Sequence, residues 1–169
     1  MAKEETGDTM TGRTISKILP SLTALLFILS SCNNNVLYTG SAEMNNNTWQ
    51  LMNIPVFRVP VNDTLVSNDI SFIIRTGSDY PFRNIFLFVS ATSPDGKKLT
   101  DTLQYYLADD KGSWYGKGFG DIHELKLPYR SNVFFPLKGE YTFTVQHGMR
   151  KEDLKGVYDI GIRIEKTGK

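Results

Sequence analysis

A regular alternation of apolar and polar residues near the carboxyl terminus restricts this chain to a small set of folds. Over Val157–Glu165, every second residue from Tyr158 to Ile164 is apolar, and the residues between them are polar or glycine. Successive side chains of a β-strand point to opposite faces, so this pattern predicts a strand with one buried face. The same alternation occurs in Asp69–Arg75 and Tyr141–His147. Strands of this kind bury their apolar faces by packing one sheet against another.

The segment Asn84–Val89 differs, because it is apolar on both faces and predicts a central strand covered on both sides. The turn residues of Ser93–Gly96 connect it to a strand at Leu99–Leu107, which predicts a hairpin. Pro55 and Pro128 predict sheet edges or strand ends, because proline cannot donate to a strand ladder. Further short strands are predicted at Gln50–Val59, Asp121–Leu127 and Asn132–Phe135.

The predicted fold is all-β. Only the segment Gly148–Lys155 has helical character, and the remaining chain accommodates about eight or nine short strands separated by turns. The content of ten Phe, eight Tyr and two Trp agrees with this, because aromatic residues are enriched in strands. We therefore expect an antiparallel β-sandwich, immunoglobulin-like or jelly-roll-like.

The amino-terminal segment ends in the single cysteine of the chain, Cys32. Arg13 and Lys17 precede the apolar run Ile18–Leu29, which is shorter than the roughly 20 residues of a membrane-spanning helix. A basic flank, a short apolar run and small residues are typical of a secretory signal. Leu29–Cys32 resembles the lipobox of bacterial lipoproteins, which implies a diacylglyceryl group on the sulfur and an acyl group on the new amino terminus. The alternative, a buried free cysteine, explains neither the basic flank nor the polar residues that follow.

These features predict three regions. Residues 1–31 are a signal peptide ending in the lipobox, residues 32–48 a lipidated tether with a short strand at Val36–Tyr38, and residues 49–169 the β-sandwich domain. Acidic residues before Thr9 are unusual in a signal, so Met10 is an alternative start. Nineteen Lys and Arg against eighteen Asp and Glu give a net charge of +1, which argues against nucleic acid as a partner.

No combination of residues predicts an enzyme. The glycine-rich segment Gly116–Gly120 precedes strand-like alternation rather than the helix that a phosphate-binding loop needs, so we predict a connection between strands. His123 with Asp121 and Glu124 would form only a weak metal site, and His147 is expected at a strand end; a catalytic zinc takes three protein ligands. None of the serines lies in a Gly-x-Ser-x-Gly motif. We expect no cofactor and no catalytic activity.

Two other sets of residues are candidates for function. Two Asp-Thr-Leu triplets resemble the signal for periplasmic O-glycosylation in Bacteroidetes, which makes Thr64 and Thr102 candidate modification sites. Tyr106, Trp114 and Phe119 are candidates for an interaction surface, because aromatic residues are enriched at binding anchors. The alternative is that these three side chains pack in the core.

Six segments of the carboxy-terminal two-thirds carry a more specific signal. They are Tyr80–Val89, Asp101–Leu103, Gly112–Gly118, Phe135-Pro136, Gly139–Tyr141 and Met149–Glu165. Together with the lipobox they are similar to the GldH family of gliding motility lipoproteins, over roughly Asn68–Lys166. The resemblance implies a Bacteroidetes outer-membrane lipoprotein of the gliding machinery, linked to type IX secretion. Only Cys32 matches a functional position of that family.

Two classes of function follow from these observations. The resemblance favours a non-enzymatic structural component held to the membrane by its lipid and bound to envelope proteins. The alternative is a glycan-binding β-sandwich that presents Trp49 or Trp114 to a sugar, an interpretation that depends on analogy between folds. Surface lipoproteins of this phylum tend to carry acidic residues shortly after the cysteine. Because Asn33–Val36 has none, we expect the periplasmic face of the outer membrane, with the cell surface as the alternative.

Overall fold

Antiparallel strand pairing organises the computed structural model, which describes residues 35–168. The signal region and Cys32 lie outside the described residues. The strands are β1 Val36–Glu43, β2 Thr48–Gln50, β3 Val56–Val61, β4 Asn68–Gly77, β5 Asn84–Thr92, β6 Lys98–Tyr106, β7 Lys117–Phe119, β8 Ile122–Val133, β9 Gly139–His147, β10 Asp153–Lys155 and β11 Val157–Lys166.

The strands form two main sheets and one small one. The first sheet has the order β1-β11-β4-β8-β7, the second has the order β3-β9-β5-β6, and β2 pairs with β10. The predicted all-β class with antiparallel sheets is confirmed, while the choice between an immunoglobulin-like and a jelly-roll-like plan stays a prediction. The strand number exceeds the predicted one because β2, β7 and β10 are only three residues long.

One hydrophobic core joins the two main sheets. The alternation predicted for β4, β9 and β11 is observed, since the apolar side of each strand is buried. Burying an aliphatic or aromatic side chain contributes about 1.5–3 kcal/mol. The buried side chains of this core include Ile70, Phe72 and Ile74 of β4, Ile160, Ile162 and Ile164 of β11, Leu87 and Val89 of β5, and Phe143 and Val145 of β9.

The prediction that Asn84–Val89 is covered on both faces is wrong. The segment starts β5, which pairs with β9 and β6 and is central in its sheet as expected. Ile85 and Leu87 are buried on the core side, but Phe86 is only half-buried and Phe88 is 43% exposed. An antiparallel sheet needs only one buried face, so the outward phenylalanines are tolerated at the surface.

The first strand is longer than the sequence pattern predicts. Residues 36–43, assigned mostly to a tether, form β1 and pair with β11 from Val36 opposite Glu165 to Glu43 opposite Asp159. The small residues Gly40 and Ser41 hide the alternation, and backbone pairing along an existing strand compensates for the few apolar side chains. The described domain therefore begins earlier than the predicted residue 49.

The helical prediction for Gly148–Lys155 is also wrong. The segment bends and then forms β10, where Leu154 pairs with Trp49 of β2 and both side chains are buried. Tertiary burial of Leu154 outweighs a weak helical preference. Among the described residues the helical element is a short 3-10 turn at Asn45–Asn47, and no helix there is long and apolar enough to cross a membrane.

The strand predicted at Asp121–Leu127 and the first half of the one predicted at Asn132–Phe135 belong to one irregular strand, β8, whereas Phe134 and Phe135 follow it in a loop. Its register against β4 shifts near Ile70, and the irregularity lets the strand pass through Pro128. Because β7 covers only residues 122–124 of β8, Pro128 lies on the uncovered edge, as predicted. Pro55 precedes the edge strand β3, which also agrees with the prediction.

The domain has two ends, formed by different loops. The proximal end contains Asn35, where the described chain begins, and the loops 62–67, 93–97 and 134–138. The distal end contains the loops 78–83, 107–116 and 148–152 and the small β2–β10 sheet. Strand β4 joins the ends, with Asn68 opposite Val133 proximally and Gly77 opposite Ile122 distally.

Candidate interaction surface

The three aromatic residues predicted as an interaction surface all belong to the distal end. Tyr106 is the last residue of β6, and its side chain is 53% exposed. Trp114 lies in the loop 107–116, where it forms an isolated bridge with Ala108. Phe119 is the last residue of β7. Strand pairing therefore brings these positions to one end of the domain.

Trp114 packs against two residues outside its own loop. Its ring stacks on the imidazole of His123, with 5.1 Å between ring centroids and 12° between planes, and it meets the ring of Tyr80 edge-on at 6.2 Å. Tyr80 is buried and its hydroxyl donates to the backbone oxygen of Asn84 at 2.9 Å. Burial raises the pKa of Tyr80. These contacts favour the alternative that Trp114 is a packing residue.

The exposed side chains at the distal end form a separate cluster, which we call the distal aromatic patch: Arg83, Tyr106, Asp110 and Tyr115. Tyr115 is 62% exposed, and the guanidinium of Arg83 lies 5.4 Å from the ring centroid of Tyr106. Arg83 also forms an ion pair with Asp110, and hydrogen bonding to this carboxylate raises the pKa of Arg83. The patch lines an open depression of about 510 Å³. It combines the aromatic and arginine side chains that dominate protein interfaces.

The sequence did not single out Arg83, whereas Tyr115 lies in the aromatic segment Trp114–Phe119 that the sequence did indicate. Arg83 immediately precedes β5, and Asn84 of that strand pairs with Tyr106, which brings Arg83 to the end of β6. Tyr115 reaches the same place because its backbone nitrogen donates to Leu107 at 2.9 Å. Both placements depend on tertiary pairing. In the sequence, the run of aromatic residues around Trp114 indicated this segment, but it did not show that Tyr115 is the exposed ring.

Polar contacts close the side of the domain where β6 of the second sheet faces β8 of the first. The Tyr105 hydroxyl donates to the backbone oxygen of Pro128 at 2.7 Å, and burial raises the pKa of Tyr105 to about 12. Asp101 accepts hydrogen bonds from the Tyr129 hydroxyl at 2.6 Å and from Arg130 Nη2 at 2.9 Å. These two donors lower the pKa of Asp101. The contacts join the open edges of both sheets.

The two candidate glycosylation sites lie in different environments. Thr64 is half-buried in the loop 62–67, where the backbone nitrogen of Leu65 donates to Asp63 Oδ1 at 2.9 Å. Thr102 is exposed on the outer face of β6, opposite Phe88. Modification of either threonine stays a prediction.

Trp49 cannot serve as a surface platform for a sugar. Its side chain is fully buried, its Nε1 donates to the backbone oxygen of Asn53 at 2.8 Å, and its ring meets His147 edge-on at 5.4 Å. His147 lies at the end of β9, as predicted, and is itself buried. Burial lowers the pKa of His147. The pair is part of the core beneath the β2–β10 sheet.

The weak metal site considered for His123, Asp121 and Glu124 does not assemble. The Nε2 atom of His123 lies 3.5 Å from the Ser78 hydroxyl, and the ring is covered by Trp114. Within residues 35–168, no three His, Cys, Asp or Glu side chains converge as metal ligands. Most of the segment Gly116–Gly120 is strand β7, so the prediction of a connection between strands holds only for Gly120, which has a φ of 63° in the turn between β7 and β8.

An apolar cleft opens at the proximal end. It has a volume of about 420 Å³ and lies between the two sheets. Leu99 and Phe134 are its most exposed apolar residues, and Lys98 and Arg130 lie among its lining residues. The cleft is separate from the distal aromatic patch, because the two lie near opposite ends of β6.

Comparison with solved structures gives only distant likenesses. A structure of infectious bursal disease virus Gx strain has a TM-score of 0.35 at 9% identity, covering 78% of this chain and 30% of that chain. The dimeric latent PorU of Porphyromonas gingivalis has a TM-score of 0.30 at 12% identity, covering 80% of this chain and 13% of that chain. Neither likeness is close enough to inform the function.

Comparison with known sequences is much more specific. A gliding motility lipoprotein GldH homolog of Christiangramia forsetii is 34% identical over 149 residues, covering 84% of this chain and 91% of that relative. The gliding motility lipoprotein GldH of Flavobacterium johnsoniae is 36% identical over 124 residues, covering 69% of this chain and 77% of that relative. The GldH lipoprotein family model matches residues 36–164, which includes β1 and nearly all of β11. The chain therefore belongs to the GldH lipoprotein family.

Proposed function

We propose that this protein is an outer-membrane lipoprotein, anchored through lipid on Cys32, that acts as a non-enzymatic structural component of the gliding motility machinery. The observation that carries the proposal is the family match over residues 36–164, with relatives named as gliding motility lipoproteins. The proposal includes a periplasmic orientation and a link between this machinery and type IX secretion. The anchor holds the protein in the envelope, where its partners are other envelope proteins.

The distal aromatic patch is the surface that we assign to protein binding. Tyr106 and Tyr115 expose large aromatic rings, and tyrosine side chains lose little conformational entropy on binding. Arg83 adds a planar cation beside the ring of Tyr106. Asp110 pairs with Arg83, so a partner meets a neutral ion pair rather than an isolated charge. Tyrosine and arginine are among the residues that contribute most to binding energy at interfaces.

Crosslinking in the native envelope tests this proposal. The tagged full chain is compared with the double variant Tyr106→Ala, Tyr115→Ala, and purified proteins are identified by mass spectrometry. We expect gliding components to co-purify with the wild type and to decrease in the double variant. Phe88→Ala is the matched control, because Phe88 is a similarly exposed aromatic residue away from the patch. Recovery of glycan without protein partners would refute the proposal and favour the glycan-binding alternative.

A further inference from the structure

The described chain begins at a fixed point of the proximal end. The backbone oxygen of Asn35 accepts a hydrogen bond from Lys166 at 2.7 Å, and Val36 pairs with Glu165. Cys32 precedes Asn35 by three residues in the sequence. An extended chain spans at most about 3.6 Å per residue, so a lipid on Cys32 is attached within roughly 11 Å of Asn35. The proximal end must therefore lie close to the membrane that holds the lipid.

Three exposed apolar side chains lie on loops of this same end. Leu65 is 86% exposed in the loop 62–67, while Phe134 is 57% and Leu137 is 38% exposed in the loop 134–138. The loops are neighbours, because Val61 pairs with Gly139 at their bases. Single exposed hydrophobic residues are common on protein surfaces. Here, three exposed apolar residues on adjoining loops lie together at the end of the domain where the described chain begins.

The charges of the proximal end suit contact with phosphate groups. Among the acidic side chains there, Asp95 pairs with Lys97, Glu140 pairs with Arg58, and Glu165 pairs with Arg163 and Lys126. Asp63 and Asp69 accept hydrogen bonds from the backbone nitrogens of Leu65 and Asn132 and keep their negative charge. Lys98, Lys138 and Lys166 are exposed, and no ion pair of these three is found within residues 35–168. These lysines leave cationic groups beside the apolar loops.

From these observations we infer that the proximal end is a membrane-docking surface. Leu65, Phe134 and Leu137 enter the headgroup region of the phospholipid bilayer, and the neighbouring lysines contact lipid phosphates. The inference rests on the proposed lipid anchor at Cys32, because the anchor keeps the loops at a high effective concentration near the lipid. Shallow contacts that are weak by themselves then suffice to orient the domain.

This docking fixes the direction of the distal aromatic patch. Strand β4 has ten residues, and a strand rises about 3.3 Å per residue, so the two ends are roughly 30 Å apart. With the proximal end on the bilayer, the patch faces away from the membrane toward other envelope proteins. A domain on a long flexible tether would present all of its faces equally.

A fluorescent probe at single engineered cysteines tests the docking. The full lipidated chain is purified and placed in vesicles of phosphatidylethanolamine and phosphatidylglycerol, with Leu65→Cys or Leu137→Cys labelled by an environment-sensitive dye. The lipidated sulfur of Cys32 is a thioether, so it does not react with the dye. Met52→Cys is the matched control, because Met52 is 84% exposed at the distal end. We expect a shift to shorter wavelength and quenching by nitroxide-labelled lipid at residues 65 and 137, but not at residue 52.

Flotation of the same vesicles separates this inference from the proposed anchor. If the chain floats with the vesicles and the probes at residues 65 and 137 are as accessible to water as the probe at residue 52, the docking is refuted while the anchor stands. If the chain does not float, the anchor and the docking are refuted together. The identity of the protein partners affects neither result.

Discussion

Replacing Trp114 with alanine distinguishes a packing role from a binding role for this residue. Replacing a completely buried tryptophan with alanine lowers the free energy of unfolding by about 3–5 kcal/mol. Trp114 is only partly buried, which reduces this to roughly 2 kcal/mol, but its stacking on His123 adds about 0.5–1.5 kcal/mol. We therefore expect Trp114→Ala to lower the free energy of unfolding by about 2.5–3.5 kcal/mol.

The measurement is urea unfolding of the mature protein, followed by far-UV circular dichroism and by the fluorescence of the remaining Trp49. Trp49 is fully buried beside His147, so it reports on the core independently of the substituted loop. Tyr115→Ala is the control, because Tyr115 is 62% exposed and its loss should change stability by less than about 0.5 kcal/mol. Unchanged stability of Trp114→Ala combined with loss of partner binding would refute the packing interpretation.

Three further predictions concern stability. Asp101→Asn should lower the free energy of unfolding by about 1–2 kcal/mol, because it weakens the charge-assisted bonds from Tyr129 and Arg130. Since the folded pKa of Asp101 is lowered, the wild type should lose this extra stability as pH falls below about 4. A stability difference between the two proteins that persists in acid would contradict the assignment. Burial lowers the folded pKa of His147 below 6.5, so the unfolded chain binds more protons and wild-type stability should decrease as pH falls through 6.5. His147→Leu should reduce this pH dependence in urea unfolding at pH 8 and pH 5.5, and an unaltered slope would contradict it. Gly156→Ala should destabilise the folded domain by about 1–3 kcal/mol, because Gly156 has a φ of 76° and an added Cβ would lie 2.5 Å from Tyr80 N. A thermal unfolding temperature equal to that of the wild type would disprove this.

Strands with strict alternation could be predicted from the sequence alone. In β4, β9 and β11 the apolar positions face the core, and the Ser93–Gly96 turn connects β5 to β6 as expected. Each of these features is local, because period-two patterning and turn chemistry act over a few residues. The uncovered edge at Pro128 could be predicted for the same reason.

The remaining features depend on contacts between distant residues. The first strand β1 is stabilised by pairing with β11, more than 110 positions further along the chain, which its small residues do not reveal. Leu154 lies in strand β10 because its side chain is buried against Trp49, and not because of the local secondary-structure preference of its segment. The distal aromatic patch likewise combines residues from three segments, so the sequence indicated Tyr106 and the segment that contains Tyr115, but not Arg83.

The two ends of the domain give the proposed function a simple geometry. The exposed apolar loops and Asn35, which follows the proposed lipid site, lie at the proximal end, whereas the aromatic residues that we assign to protein binding lie at the distal end. The outer face of the second sheet carries mostly polar residues with Phe88 among them. With the proposed lipid on Cys32, the short connection to β1 would leave the domain little freedom to turn over on the membrane.

The most direct test of the central claim is affinity purification of the crosslinked, tagged protein from its native envelope, comparing wild type with Cys32→Ala. A lipid-anchored component of the gliding machinery should recover gliding or secretion proteins, and recovery should fall when the anchor is removed. The Cys32→Ala protein should unfold in urea as the wild-type domain does, so that a loss of partners reflects the anchor. Recovery of no envelope protein with the wild type, or equal recovery with both proteins, would contradict the proposed role of an anchored assembly component.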